Sequence, residues 1–129
     1  GRPKLMNEAE WYDVDVITCA APNLRERPSN RFNQGNGDRA VKVSDRELLE
    51  IHKKRLTRIL DVAVLNGDEA VILGAFGCGA FQNKPEVVAR AAKEVIADYL
   101  YAFKTIEFAV YCPPRDDTNF KVFEWVMGA

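Results

Sequence analysis

Residues 69–83 read EAVILGAFGCGAFQN. The apolar run Ala70, Val71, Ile72, Leu73 has strand character, and it breaks into a loop carrying Gly74, Gly77 and Gly79. A helix N-terminus follows at once, with Pro85 in its first turn, Glu86 beside it, and Asn83 or Lys84 as its cap. Proline disfavours helical geometry at the residue before it, so spacing alone leaves both caps open. Strand, glycine loop and helix start form a common phosphate seat. Glycines let the backbone approach closely and turn its N–H groups inward, and the helix end adds partial positive charge.

Two familiar phosphate motifs do not match this loop. No Gly-Lys-Ser/Thr closes it, and Gly74, Gly77 and Gly79 do not fit G-x-G-x-x-G. Phosphate or pyrophosphate binding is one reading; a tight loop whose glycines serve packing is the other. Phe76 and Phe81 flank the loop, either as core residues or as rings that stack on a sugar or base. Cys78 stands between two glycines with no evident His or acid partner, so it reads as a small polarizable filler rather than a nucleophile.

Outward from the loop, VDVITCA at residues 14–20 is β-branched and almost wholly apolar after Asp15, which predicts a strand buried on both faces of a parallel sheet. Pro22 stops it, leaving residues 21–24 as the loop at its C-terminal end. Residues 44–66 predict a helix: Ser44 and Glu47 have capping-box spacing, and Gly67 stands just past the end. Its apolar face carries Leu48, Leu49, Leu56, Ile59, Leu60 and Ala63. His52, the only histidine, falls on that face and reads as a packed side chain rather than a catalytic one. The helix after the loop runs to about Phe103, with Val87, Val88, Ala91, Val95, Ile96 and Leu100 on its core side. TIEFAVYC at residues 105–112 predicts a further strand, ended by Pro113 and Pro114. Residues 117–127 form a short last helix anchored by Phe120, Phe123 and Trp125. A short edge strand is expected at residues 4–6.

The resulting order, β-α-β-α-β-α, predicts mostly parallel strands with right-handed crossovers in a three-layer α/β/α sandwich. Ligands in such sheets sit beyond the C-terminal strand ends. Residues 20–24, 74–83 and 113–120 should meet there. Glu10, Asp13 and Asp15 lie at the wrong end of their strand, and Asp116 and Asp117 read as caps of the last helix, so no placed pair of carboxylates stands in the cleft. Residues 25–43 carry Arg25, Arg27, Arg31, Arg39 and Lys42 against Glu26 and Asp38, a local charge of +3. They read either as a solvated loop or as a basic flap over an anionic ligand, with Phe32 as its aromatic.

Composition sets outer limits. A chain of 129 residues is at most one ordinary domain, and 47% apolar content is enough for a core. A net charge of −1 argues against a general or sequence-specific nucleic-acid binder. No apolar run approaches the roughly 20 residues that span a bilayer, so no membrane partner is expected. Cys19, Cys78 and Cys112 show neither disulfide nor zinc spacing, which predicts a reducing, cytoplasmic setting and no metal.

LGAFGCGAFQN at 73–83, with VDVITCAAPNL at 14–24 and KKRLTRILDVA at 53–63, resembles the microbial-type poly(ADP-ribose) glycohydrolases, proteins of macrodomain fold. The resemblance implies that Gly77, Cys78, Gly79, Ala80 and Phe81 cradle the ADP-ribose diphosphate. It also implies that Ala21, Pro22 and Asn23 form the pocket-edge loop and that Asn119 and Phe120 border the adenosine. Gln82 stands where many members of the family have Gly. The family's catalytic signature, a Gly-Gly-Gly run followed by Gln-Glu-Glu, precedes the strand that VDVITCAAPN matches and is absent from this chain. Residues 1–129 are therefore expected to be the C-terminal portion of a single macrodomain-like domain with an incomplete sheet. They should carry ADP-ribose or poly(ADP-ribose) binding but no catalytic residue and no cofactor. The parent protein is expected to hydrolyse ribose–ribose O-glycosidic bonds. The alternative is a non-catalytic ADP-ribose or nucleotide-binding module. An incomplete sheet leaves a strand edge open to self-association or to pairing with the rest of the domain.

Overall fold

The computed structural model describes residues 3–26 and 41–128. Most of the basic stretch at 25–43, including Phe32, lies outside the described residues. Among the described residues the elements are α1 (Asp45–Asn66), β1 (Ala70–Leu73), α2 (Pro85–Ile96), β2 (Thr105–Phe108) and α3 (Thr118–Gly128), with single 3-10 turns at Glu8–Glu10 and Ala97–Tyr99.

The ends of α1 follow from local chemistry. The Ser44 hydroxyl accepts from the Glu47 N–H at 3.2 Å, and the Glu47 carboxylate accepts from the Ser44 N–H at 2.9 Å. Gly67 closes the other end in the left-handed region, at φ 79°. The helix is about 33 Å long at 1.5 Å per residue, and it buries Leu48, His52, Leu60 and Ala63. The cap left open for α2 is Lys84, with Pro85 at the first helical position. Asn83 is released for another purpose, described below. Helix α2 buries Val88, Ala89, Ala91, Ala92 and Val95 and packs against both α1 and α3. Its alanines let the neighbouring helices come close.

β1 and β2 pair in parallel, Val71 opposite Ile106 and Leu73 opposite Phe108. These four face the helices. Val71 joins Leu60, Ala63, Val95 and Phe103 in one apolar cluster, and Phe108 joins a second one built on Val88, Ala89 and Phe123. The opposite sheet face, with Ala70, Ile72, Thr105 and Glu107, is exposed, Ile72 to 71%. The fold is α/β, and the described residues supply the sheet and one helical layer of the expected sandwich.

Residues 14–20 correct the sequence reading. Among the described residues they pair with no strand, and Val16 is 81% exposed. Only Ile17 packs against the Leu60 cluster. A buried parallel strand needs hydrogen-bonded neighbours, and composition alone supplies none. Residues 4–6 are likewise not a strand. Helix α2 stops at Ile96 rather than near Phe103, and β2 stops at Phe108 rather than Cys112. Of the expected anchors, Phe123 is buried, while Phe120, Leu100 and Trp125 are exposed.

Candidate functional site

β1 delivers the chain into the glycine loop at its C-terminal end, and α2 takes it away. The turn is built from short backbone bonds. Cys78 N–H donates to Ala75 O at 3.0 Å, Gln82 N–H to Gly79 O at 3.0 Å, and Asn83 N–H to Gly77 O at 3.0 Å. The N–H groups of Gly77, Gly79, Ala80 and Phe81 donate to no acceptor among the described residues. Four donors within five residues are thus unspent, and Gly79 and Ala80 are exposed to solvent.

The two central glycines do different work. Gly77 has φ 80°, and a Cβ there would stand 2.6 Å from the Ala21 Cβ and 2.8 Å from the Asn83 amide nitrogen. It is required by backbone conformation and by close approach. Gly79 has no atom within 4 Å of a would-be Cβ, so it is open on the solvent side. Gln82 sits in the left-handed region at φ 55°. Glycine suits that backbone, which gives a physical reason for glycine at this position. Gln82→Gly is expected to raise stability by up to about 1 kcal/mol, since non-glycine residues pay roughly 1–2 kcal/mol there and glycine returns part of it as chain entropy. A melting temperature lower than the parent's, read by circular dichroism, is the contrary result.

Asn83 is the hub. It is 2% exposed, and its amide nitrogen lies 2.7 Å from Pro22 O, 3.0 Å from Gly77 O and 3.3 Å from Phe81 O. Three carbonyls around one end identify that end as the NH2 group, so the other end is the acceptor. His52 Nε2 lies 2.8 Å from it and must donate. The His52 ring also meets the Phe76 ring edge-on, with centroids 5.5 Å apart. Burial holds the imidazole pKa below its ordinary value, against a smaller upward pull from the Asn83 hydrogen bond, and the Arg55 charge adds to the lowering. The ring is neutral at pH 7, with its proton on Nε2.

Residues 20–25 are stitched to the glycine loop. Leu24 N–H donates to Phe81 O at 3.0 Å, and Arg55 of α1 donates to Ala20 O at 2.6 Å. The Asn23 side chain accepts from Arg25 Nε at 3.0 Å, and the Arg25 guanidinium lies over the Phe81 ring, 5.6 Å from its centroid. Pro22, Asn23 and residues 77–81 are therefore one assembly. Asn119 and Phe120 lie in the first turn of α3, Asn119 half-buried and Phe120 exposed. That helix reaches the glycine loop through Phe123, in a cluster with Phe76 and Cys78.

Burial, with the nearby Glu86 charge, pushes the Cys78 thiol pKa up to about 12. It is a protonated, inert thiol at neutral pH, as a filler should be. Asp15 and Asp68 approach one another at the opposite end of β1 from the glycine loop, where burial and the neighbouring Asp15 raise the Asp68 pKa. No group of three or more His, Cys, Asp or Glu side chains among the described residues is placed to hold a metal. No helix among them is long and apolar enough to cross a membrane. A cavity of about 560 Å³ lies between residues 12–19 and β1, lined by Ile17, Leu56, Val71 and Phe108 and reaching His52 and Phe76. It is largely apolar and touches the loop only at Gly74 and Phe76.

The chain resembles part of poly(ADP-ribose) glycohydrolase. The enzyme from Deinococcus radiodurans, solved in complex with ADP-ribose, is 30% identical over 64% of this chain and 34% of its own, with a TM-score of 0.59. A point mutant of that enzyme, also in complex with ADP-ribose, superposes over 83% of this chain at 28% identity and a TM-score of 0.63. The same enzyme without ligand matches as the first does. The chain spans about a third to two-fifths of the length of these structures. No protein-family model and no curated protein sequence matches it. The α/β fold is thus a partial macrodomain-like fold.

Asn83 is the residue that sequence reading missed. It stands one residue before the helix cap, and an asparagine there reads as a cap candidate. Its one distinguishing signal is its place between a glycine loop and an N1 proline, which leaves the cap to Lys84.

Proposed function

We propose that the chain binds ADP-ribose, with residues 77–81 as the seat of the diphosphate. The observation that carries this reading is the set of four unspent N–H donors at Gly77, Gly79, Ala80 and Phe81, at the C-terminal end of a parallel strand and just before a helix. Anions are stabilised by such donors and by the helix end together. Likeness to a glycohydrolase solved with ADP-ribose supports the choice of a diphosphate over a simple phosphate. Pro22 and Asn23 form one rim, where Arg25 stacked on Phe81 brings positive charge beside the loop. Asn119 and Phe120 form the adenosine side.

In this reading the parent protein hydrolyses the ribose–ribose bonds of poly(ADP-ribose). None of the 129 residues matches the Gln-Glu-Glu signature that the resemblance calls for. This chain therefore supplies binding and orientation, not the proton transfer that glycosidic cleavage needs. The purified chain is expected to release no ADP-ribose from polymer, and release would overturn that division of roles.

Gly79→Val tests the seat. A Cβ at this open position has no protein atom within 4 Å, so the fold should survive and the side chain should stand where the anion goes. Two charge-assisted hydrogen bonds lost at about 1.5–3 kcal/mol each predict a loss of at least 100-fold in ADP-ribose affinity by titration calorimetry, with little change in melting temperature. Unchanged affinity overturns the assignment.

A further inference from the structure

We propose that His52 is a positioning residue for the diphosphate loop: its Nε2–H locks the Asn83 amide in the orientation that its three carbonyl partners favour, and that amide fixes the loop. The inference rests on the ADP-ribose reading for its ligand and on geometry alone for the loop. Asn83 binds three carbonyls of two separate segments through its NH2 group, at Pro22, Gly77 and Phe81. This is possible in only one of the two amide orientations. The flipped amide would turn its oxygen toward those three carbonyl oxygens and its NH2 group toward His52. The three carbonyls favour the working orientation, and the donor on the far side, His52 at 2.8 Å, locks it.

The imidazole is itself well placed for this. It is 2% exposed, it is carried in the middle of the 22-residue α1, and its ring is braced by Phe76 of the loop it organises. A neutral imidazole donates from one nitrogen only, so the acceptor oxygen of Asn83 also fixes the tautomer. The two side chains thus determine each other. Through them, a rigid helix sets the carbonyl positions on both sides of the unspent N–H groups. A lost constraint would leave the loop folded but less often in the geometry that receives a diphosphate, and apparent affinity falls by the fraction of competent loop.

The test uses the full chain with His52→Leu and His52→Gln. Leucine fills much of the imidazole space without a donor; glutamine restores an N–H at similar reach. His52→Leu is expected to lose about tenfold in ADP-ribose affinity, the worth of one hydrogen bond's ordering effect, and to shift the amide resonances of Gly77, Gly79, Ala80 and Phe81 in the free protein. His52→Gln should stay within about threefold of the parent on the same scale and restore those resonances. A folded His52→Leu that binds like the parent, or a His52→Gln no better than His52→Leu, overturns the proposal. Should His52→Leu not fold, the imidazole Nε2–H signal of the parent decides: it should be protected from exchange and move on saturation with ADP-ribose, and a fast-exchanging or unmoved signal overturns the role. Failure of the parent itself to bind ADP-ribose overturns the reading of the ligand instead, and the loop-setting role then stands or falls on the amide shifts in the variants.

Discussion

Gly77→Ala is expected to destabilise the fold by about 2–5 kcal/mol. Two costs add. Alanine in the left-handed region pays roughly 1–2 kcal/mol, and the backbone here is at φ 80°. The new methyl would also stand 2.6 Å from the Ala21 Cβ and 2.8 Å from the Asn83 amide nitrogen. Neither neighbour can yield freely: Ala21 is buried, and Asn83 is held by His52 on one side and three carbonyls on the other. Overpacking of this kind costs about 1–3 kcal/mol. For a domain of this size the sum corresponds to a fall in melting temperature on the order of 10 °C. Thermal unfolding followed by circular dichroism measures it. A midpoint within about 2 °C of the parent, on the same scaling, would show that the two loops can separate without penalty.

The second large effect is at Asn83. Asn83→Leu keeps roughly the same volume but removes the donor to Pro22 O, Gly77 O and Phe81 O and the acceptor for His52. Gly77 O and Phe81 O keep the backbone N–H donors of Asn83 and Leu24, so Pro22 O and His52 Nε2 are the groups left without a partner; at about 1–3 kcal/mol each, a total of about 2–6 kcal/mol is expected. Asn83→Asp separates the causes. It keeps size and an oxygen facing His52 but points the second oxygen at three carbonyls. Asn83→Asp should therefore be about as damaging as Asn83→Leu in urea unfolding at neutral pH. An aspartate variant as stable as the parent would mean that shape, not donation, is what the site requires.

Helix chemistry was the most legible part of this chain. The Ser44–Glu47 pair and Gly67 mark both ends of α1 because capping is settled within one turn. The packed reading of His52 also follows from its place on an apolar face. Residues 14–20 show the limit. Their β-branched, apolar composition suits a strand, but pairing is a property of two segments, and no strand among the described residues pairs with them. The shortfall of β2 beyond Phe108 has the same origin, since β1 ends at Leu73 and gives Val110 nothing to pair with. At the site, glycine spacing pointed to the loop, and Gly77 and Gly79 look alike in sequence. Only backbone angles and neighbours tell the glycine that holds the fold from the one that leaves space. The role of Asn83 was not legible, because its carbonyl partners lie as far away in the chain as Pro22.

Because Asn83 holds both loops by their main-chain carbonyls, the architecture of the seat is indifferent to most side chains around it. Ala80, Phe81 and Pro22 can be exchanged without breaking the bonds that hold their own backbone in place. Gly77, Asn83 and His52 form a chassis, and the rim residues are its interchangeable fittings. On the proposed ADP-ribose reading, ligand preference could therefore be re-engineered at the rim at little cost to folding.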